Sequence, residues 1–188
     1  MQKSLAKLFK FEGIYSFDKD DNGGETYFGI SRNSFPNWIG WKIIDSTKNA
    51  PHFLEILKAN LDLERLVFDF YYSNFWTAMK CDVLPEFLST ELFELSVNVG
   101  TNKATKIVQT AVNLLNNNQK YYKDIQIDGS FGNVMLAALQ NCLAHNPIKR
   151  LFNVINILQG TFYIELMQKN PTNEKFIGWF NRIEIINA

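Results

Sequence analysis

Leu5, Leu8 and Phe9 lie seven, four and three residues before Glu12, so these four positions share one face of a helix predicted over residues 3–14. Leu88, Leu92 and Leu95 repeat at helical spacing, as do Val108, Ala111 and Leu115, which predicts helices with apolar stripes over 86–99 and 102–117. Similar patterns predict helices over 51–74, 132–144, 147–169 and 173–186. Pro51, Pro85 and Pro147 suit helix starts, because a first-turn N–H has no partner to lose, and Gly100 suits a helix end. The period changes after Tyr15. Asp18 to Gly24 is dense in turn formers, Gly23-Gly24 can supply positive φ, and Glu25 to Ile30 alternates loosely with Thr, Tyr, Phe and Ile. The pattern predicts one small β-hairpin leaning over the end of the first helix, in a mainly α protein without internal repeats.

At 188 residues and 46% apolar, the chain can bury a sizeable core as one domain or two packed lobes. Five prolines and no low-complexity linker argue against independently moving modules. No apolar run reaches the ~20 residues of a membrane-spanning helix, so no integral membrane segment is expected. Met1-Gln2-Lys3-Ser4 leads into an amphipathic stretch with Lys7 and Lys10 rather than a secretory signal, so synthesis in the cytoplasm without a signal peptide is expected. Nineteen basic and nineteen acidic side chains balance, which gives nucleic acid no electrostatic footing. Lys3-Lys7-Lys10 and Lys103-Lys106 form either a local positive patch or, as such clusters more often do, solvated helix faces. Cys81 and Cys142 have no metal or redox spacing and read as free apolar residues, while His52 and His145 stand alone. No metal or cofactor is expected.

Chemistry concentrates between Glu12 and Ser31. Glycosidic cleavage needs two converging carboxyls, one to protonate the leaving oxygen and one to handle water or the developing positive charge. A carboxyl on an apolar stripe, as Glu12 is, resists ionisation and so suits a general acid; a glutamate bent out to water, or paired with Lys10, fits the same spacing. Asp18, Asp20, Asn22 and Gly23 also match the opening of a calcium loop, but its twelfth position, where a bidentate Glu belongs, is Gly29. Tyr27, Tyr71, Tyr72 and Trp76 are candidates for lining a sugar groove, although long helices bury such rings routinely. Trp179 reads as core. Asn98 either hydrogen-bonds a ligand or caps the helix ending at Gly100.

Glu12, Gly13, Tyr15, Asp18, Asp21, Gly23, Gly24, Thr26, Gly29 and Ile30 stand, without gaps, as in the signature of glycoside hydrolase family 108, the lysozyme-like N-acetylmuramidases, which this run resembles. Ile14 replaces the family's second glycine. Phe70 to Trp76 with Cys81-Asp82-Val83-Leu84-Pro85, Val97-Asn98-Val99-Gly100 with Ala104 to Gln109, and Gly178-Trp179-Phe180-Asn181-Arg182 are similar to later family segments. Asp128-Gly129-Ser130-Phe131-Gly132 looks like the family's peptidoglycan-binding element, with Met135 where a threonine is usual.

The resemblance implies a lysozyme-like helical fold with the hairpin beside the groove, a catalytic lobe over 1–100, and a helical C-terminal lobe over 101–188 packed on it, the predicted peptidoglycan-binding segment. It implies a hydrolase of the β-1,4 bond between N-acetylmuramic acid and N-acetylglucosamine, with Glu12 as acid. The Glu, Asp, Thr order, similar to the helical phage lysozymes, gives Asp21 and Thr26 supporting roles with water. A hairpin aspartate facing a helix-end acid leaves space for that water, so inversion is expected, with carboxyls ~6.5–9.5 Å apart. A lytic transglycosylase on the same substrate, and a non-catalytic wall-binding or virion structural protein, are the alternatives. The expected partner is the glycan strand of peptidoglycan, met by a monomer in the periplasm or wall after delivery by a holin or a dedicated secretion system.

Overall fold

The computed structural model describes residues 14–17 and 24–187. The predicted helix over 3–14 lies outside them, apart from Ile14, which precedes the first strand. The chain divides into two compact units, Met1–Thr77 and Ala78–Ala188. Among the described residues it is mainly α, with one small antiparallel sheet, and no helix is long and apolar enough to cross a membrane.

In the first unit, β1 (Tyr15–Phe17), β2 (Glu25–Tyr27) and β3 (Ile30–Ser31) form a sheet in the order β1-β2-β3. Three strands stand where one hairpin was expected. The run Glu25 to Ile30 does not continue as a single strand, because Phe28 (φ 45°) and Gly29 (φ 77°) turn it back within two residues. Two successive positive φ angles are those of a type I′ turn, whose twist matches that of paired strands. Gly29 takes this conformation freely, whereas Phe28 is strained in it.

Helices α1 (Gly40–Thr47), α2 (Phe53–Ala59) and α3 (Leu61–Tyr71) follow, and α3 runs into a π-helical turn over Tyr72–Trp76. Helix α1 was not expected from the sequence. The expected helix over 51–74 is broken at Asn60, which is extended (ψ 101°) and accepts a hydrogen bond from the Leu63 amide at 2.9 Å. A side chain that caps a helix competes with continuing the one before it. Gly40 is required by packing, since a Cβ there would meet the Trp38 ring at 2.3 Å. Ile30, Trp41, Ile44, Leu57, Leu63 and Val67 are buried in this unit.

In the second unit, a 3₁₀ turn at Cys81–Val83 leads to α4 (Glu86–Val99), α5 (Thr101–Leu114), α6 (Asn133–His145) and α7 (Ile148–Lys169). Leu88, Leu92, Leu95, Val108, Ala111, Leu139, Leu151 and Ile155 are buried, and burial of each leucine, isoleucine or valine among them is worth roughly 1.5–3 kcal/mol. Cys81 and Cys142 are free and buried, and burial pushes the Cys81 thiol up to about 12. Helix α5 stops three residues short of the expected end, where Asn117, Asn118 and Gln119 all take positive φ. The loop beyond is gripped by two side-chain amides one turn apart on α5. Gln109 donates to Asp128 Oδ1 (2.8 Å) and accepts from the Gly129 amide (2.9 Å), and Asn113 exchanges two hydrogen bonds with Ile125.

The last predicted helix, 173–186, is instead a 3₁₀ stretch over Pro171–Arg182, with Phe176 off helical geometry, and then extended chain. Asparagines of α7 compete for that backbone: Asn156 accepts from the Glu184 amide, and Asn153 both accepts from the Ile186 amide and donates to its carbonyl. Trp179 is half-buried rather than core, lying on Phe176 (5.0 Å between ring centres) and Tyr163 (5.3 Å).

Candidate active site

Glu12 and Asp21 lie outside the described residues, as do Asp18 and Asp20, the expected separation of the carboxyls, and the calcium-loop pattern. Thr26 is described, in the middle of β2. Strand side chains alternate between faces, and β2 has Glu25 and Tyr27 buried with Thr26 between them half-buried. Thr26 is therefore on the opposite face from Glu25 and Tyr27. Register places Ser16 of β1 and Ser31 of β3 directly beside it, one on each side. The sheet thus has one face of hydroxyls, Ser16-Thr26-Ser31, and one face of charges and rings.

The charged face centres on Glu25, whose side chain is 4% exposed. It accepts a hydrogen bond from the Tyr15 hydroxyl (3.0 Å) and from Lys48 Nζ (2.9 Å), and Arg32 Nε lies 2.7 Å away as an ion pair without hydrogen-bond alignment. Arg32 turns its two terminal nitrogens to Asp45, at 3.0 and 2.7 Å, while its guanidinium lies over Trp41 at 4.3 Å. Two carboxylates and two cations neutralise one another. Burial, then the hydrogen bond to Glu25, pushes the Tyr15 hydroxyl up to about 12. The Arg32 hydrogen bonds hold the Asp45 carboxyl below its ordinary 3.8. Sequence reading missed Arg32, Asp45 and Lys48. The available signal was Asp45 and Lys48 three residues apart, but it sits on the helix that the pattern did not reveal.

A depression of about 360 Å³ adjoins this network, lined by Arg32, Asn37, Trp38, Trp41, Lys42 and Asp45. Arg32 and Asp45 belong to the charged network, so this is not the surface that Thr26 faces. Of its polar groups, Arg32 and Asp45 are committed to each other.

The aromatic candidates separate by burial. Tyr27 is 1% exposed, packs against Phe28 and Trp38, and donates its hydroxyl to the Leu57 carbonyl. Tyr71 is buried and donates to the Phe28 carbonyl at 2.7 Å, bracing the I′ turn, and Trp76 is buried in the π-helical turn. Tyr72 is exposed at the surface, its ring stacked 6.1 Å from that of Phe68. Asn98 lies in the second unit, half-buried in the last turn of α4 before Gly100.

The profile of the Glycosyl hydrolase 108 family matches residues 5–100, and that of the Predicted Peptidoglycan domain matches residues 103–184. Among solved structures, the chain is similar to Brucella abortus SagA, with a TM-score of 0.63 and 21% identity over 97% of this chain and 88% of that one. At that identity the likeness speaks for the fold. No curated protein matches the sequence.

Proposed function

The chain belongs to the glycosyl hydrolase 108 family, and on that premise we propose that it is an N-acetylmuramidase cutting the β-1,4 bond between N-acetylmuramic acid and N-acetylglucosamine. Hydrolysis of peptidoglycan is the broad activity of the family, and the peptidoglycan segment over 103–184 agrees with it. The finer reading assigns three roles. Glu12 protonates the glycosidic oxygen, Asp21 takes a proton from the attacking water or steadies the oxocarbenium-like state, and Thr26 places that water. Product then leaves with inversion.

The observation that carries this reading is the family match across the whole run from Glu12 to Ser31. The placement of Thr26 supports it, on the sheet face away from the self-neutralised charges, where a hydroxyl can serve a neutral sugar and its water. Tyr72 supplies the exposed ring.

Turbidity loss of purified peptidoglycan is the direct test. Wild type should clear the suspension, and Glu12→Gln, which keeps shape without the proton donor, should lower the rate by at least about a hundredfold with an unchanged melt. Products should carry one water more than the anhydro sugars of a transglycosylase. Near wild-type clearing by Glu12→Gln would remove the acid assignment.

A further inference from the structure

Thr26 has a neighbour fit for the same task. Ser16 stands directly opposite it in the β1–β2 ladder, on the same face, and is exposed. Ser31 flanks Thr26 on the other side, but its Oγ takes the Ser34 amide at 3.3 Å and so serves the following loop. Directly paired residues of an antiparallel sheet have Cβ atoms ~4.5–5.5 Å apart. Two hydroxyls at that spacing can both reach one oxygen lying between them, at ~2.8 Å from each. Either hydroxyl alone leaves that oxygen free to swing; the pair defines its position. Glu25 of β2 and Arg32, just after β3, lie on the other face, so nothing charged on these strands competes for the oxygen.

We infer that Ser16 is a second water-holding residue, and that Ser16 and Thr26 together position the nucleophile. The inference rests on the proposed function, in which Thr26 faces the substrate. In that reaction the water oxygen bonds to the anomeric carbon of the N-acetylmuramic acid unit, while the bond from that carbon to the glycosidic oxygen breaks. The leaving oxygen receives the proton of Glu12, and the proton lost by water goes to the Asp21 carboxylate. Ser16 exchanges no proton in this step. It restricts where the water sits before attack, so its contribution belongs to turnover and not to affinity.

The test compares Ser16→Ala, Thr26→Ala and Ser16→Thr on soluble muramyl oligosaccharides, with kcat and KM measured separately. Ser16→Ala should lower kcat about three- to tenfold, the value of one hydrogen bond, and leave KM and the melt unchanged. Ser16→Thr keeps a hydroxyl and should restore kcat, a recovery that a merely structural serine would not give. Raised KM at constant kcat would mean that Ser16 touches the sugar instead, and would overturn the inference. So would an unaffected Ser16→Ala beside a slowed Thr26→Ala, which leaves the role of Thr26 standing. If neither variant alters kcat while Glu12→Gln is inactive, the hydroxyl face is not the water site. A wild type without activity would take down the proposed function and this inference with it.

Discussion

Glu25 and Arg32 meet across the β2–β3 hairpin with Oε2 and Nε 2.7 Å apart, the carboxylate buried and the guanidinium partly open to solvent. A buried carboxylate is tolerated only when its charge is answered, and here Arg32, Lys48 and the Tyr15 hydroxyl answer it from three elements. That convergence ties β1, the end of β3 and α1 to a single side chain of β2.

Glu25→Gln should therefore destabilise the first unit without touching the hydroxyl face. Removing one member of a buried pair leaves the other charges uncompensated, but Asp45 still answers Arg32 and Lys48, so a loss of roughly 1–3 kcal/mol is expected. Urea unfolding measures it. An unchanged midpoint would mean that the carboxylate contributes nothing net.

The same network sets two pH windows. Asp45 has its pKa lowered in the folded protein, so the stability it contributes is present above its ordinary 3.8 and is lost as pH falls through the lowered value. Tyr15 has its pKa raised, so its contribution is full below 10 and is lost as pH rises through about 12. Unfolding midpoints across pH should decline at both ends. Tyr15→Phe should shrink the alkaline decline, and ultraviolet titration of tyrosinate should lose one late-titrating group. An identical alkaline profile in the variant would show that Tyr15 is not its source.

In the second unit, Gln109 is buried and its amide makes three hydrogen bonds to the loop at Asp128–Ser130. Gln109→Ala should lower stability by roughly 1–3 kcal/mol, since the loop backbone loses its partners. Retention on insoluble peptidoglycan should stay the same if the loop's work is packing. A normal melt with lost retention would instead make this loop a wall-binding element.

The helices were legible where boundary chemistry and packing agree. Helix α4 begins after Pro85 and ends before Gly100, as those residues predict, because a proline at the start and a positive-φ glycine at the end are local requirements. Legibility failed where a distant partner decides. The chain beyond Arg182 leaves helical geometry because Asn153 and Asn156, some thirty residues earlier, bond its amides. Helix α1 was hidden because a glycine followed by tryptophan and isoleucines reads locally as strand or loop, and only the closeness of Trp38 to Gly40 explains the glycine. At the site, Thr26 was named by resemblance, but its two hydroxyl neighbours needed the register. Register is a relation between strands, and no single strand carries it.

The two-residue turn at Phe28–Gly29 therefore acts as a parity device. Side chains on paired strands alternate with period two, so a one-residue insertion there would exchange Ser31 and Arg32 between faces. Glu25 would lose its guanidinium, and a cation would arrive beside Thr26 among the hydroxyls. Length change at this corner is constrained for reasons of chemistry as much as of folding. A strained phenylalanine in a left-handed conformation is tolerated because its turn has an even number of residues.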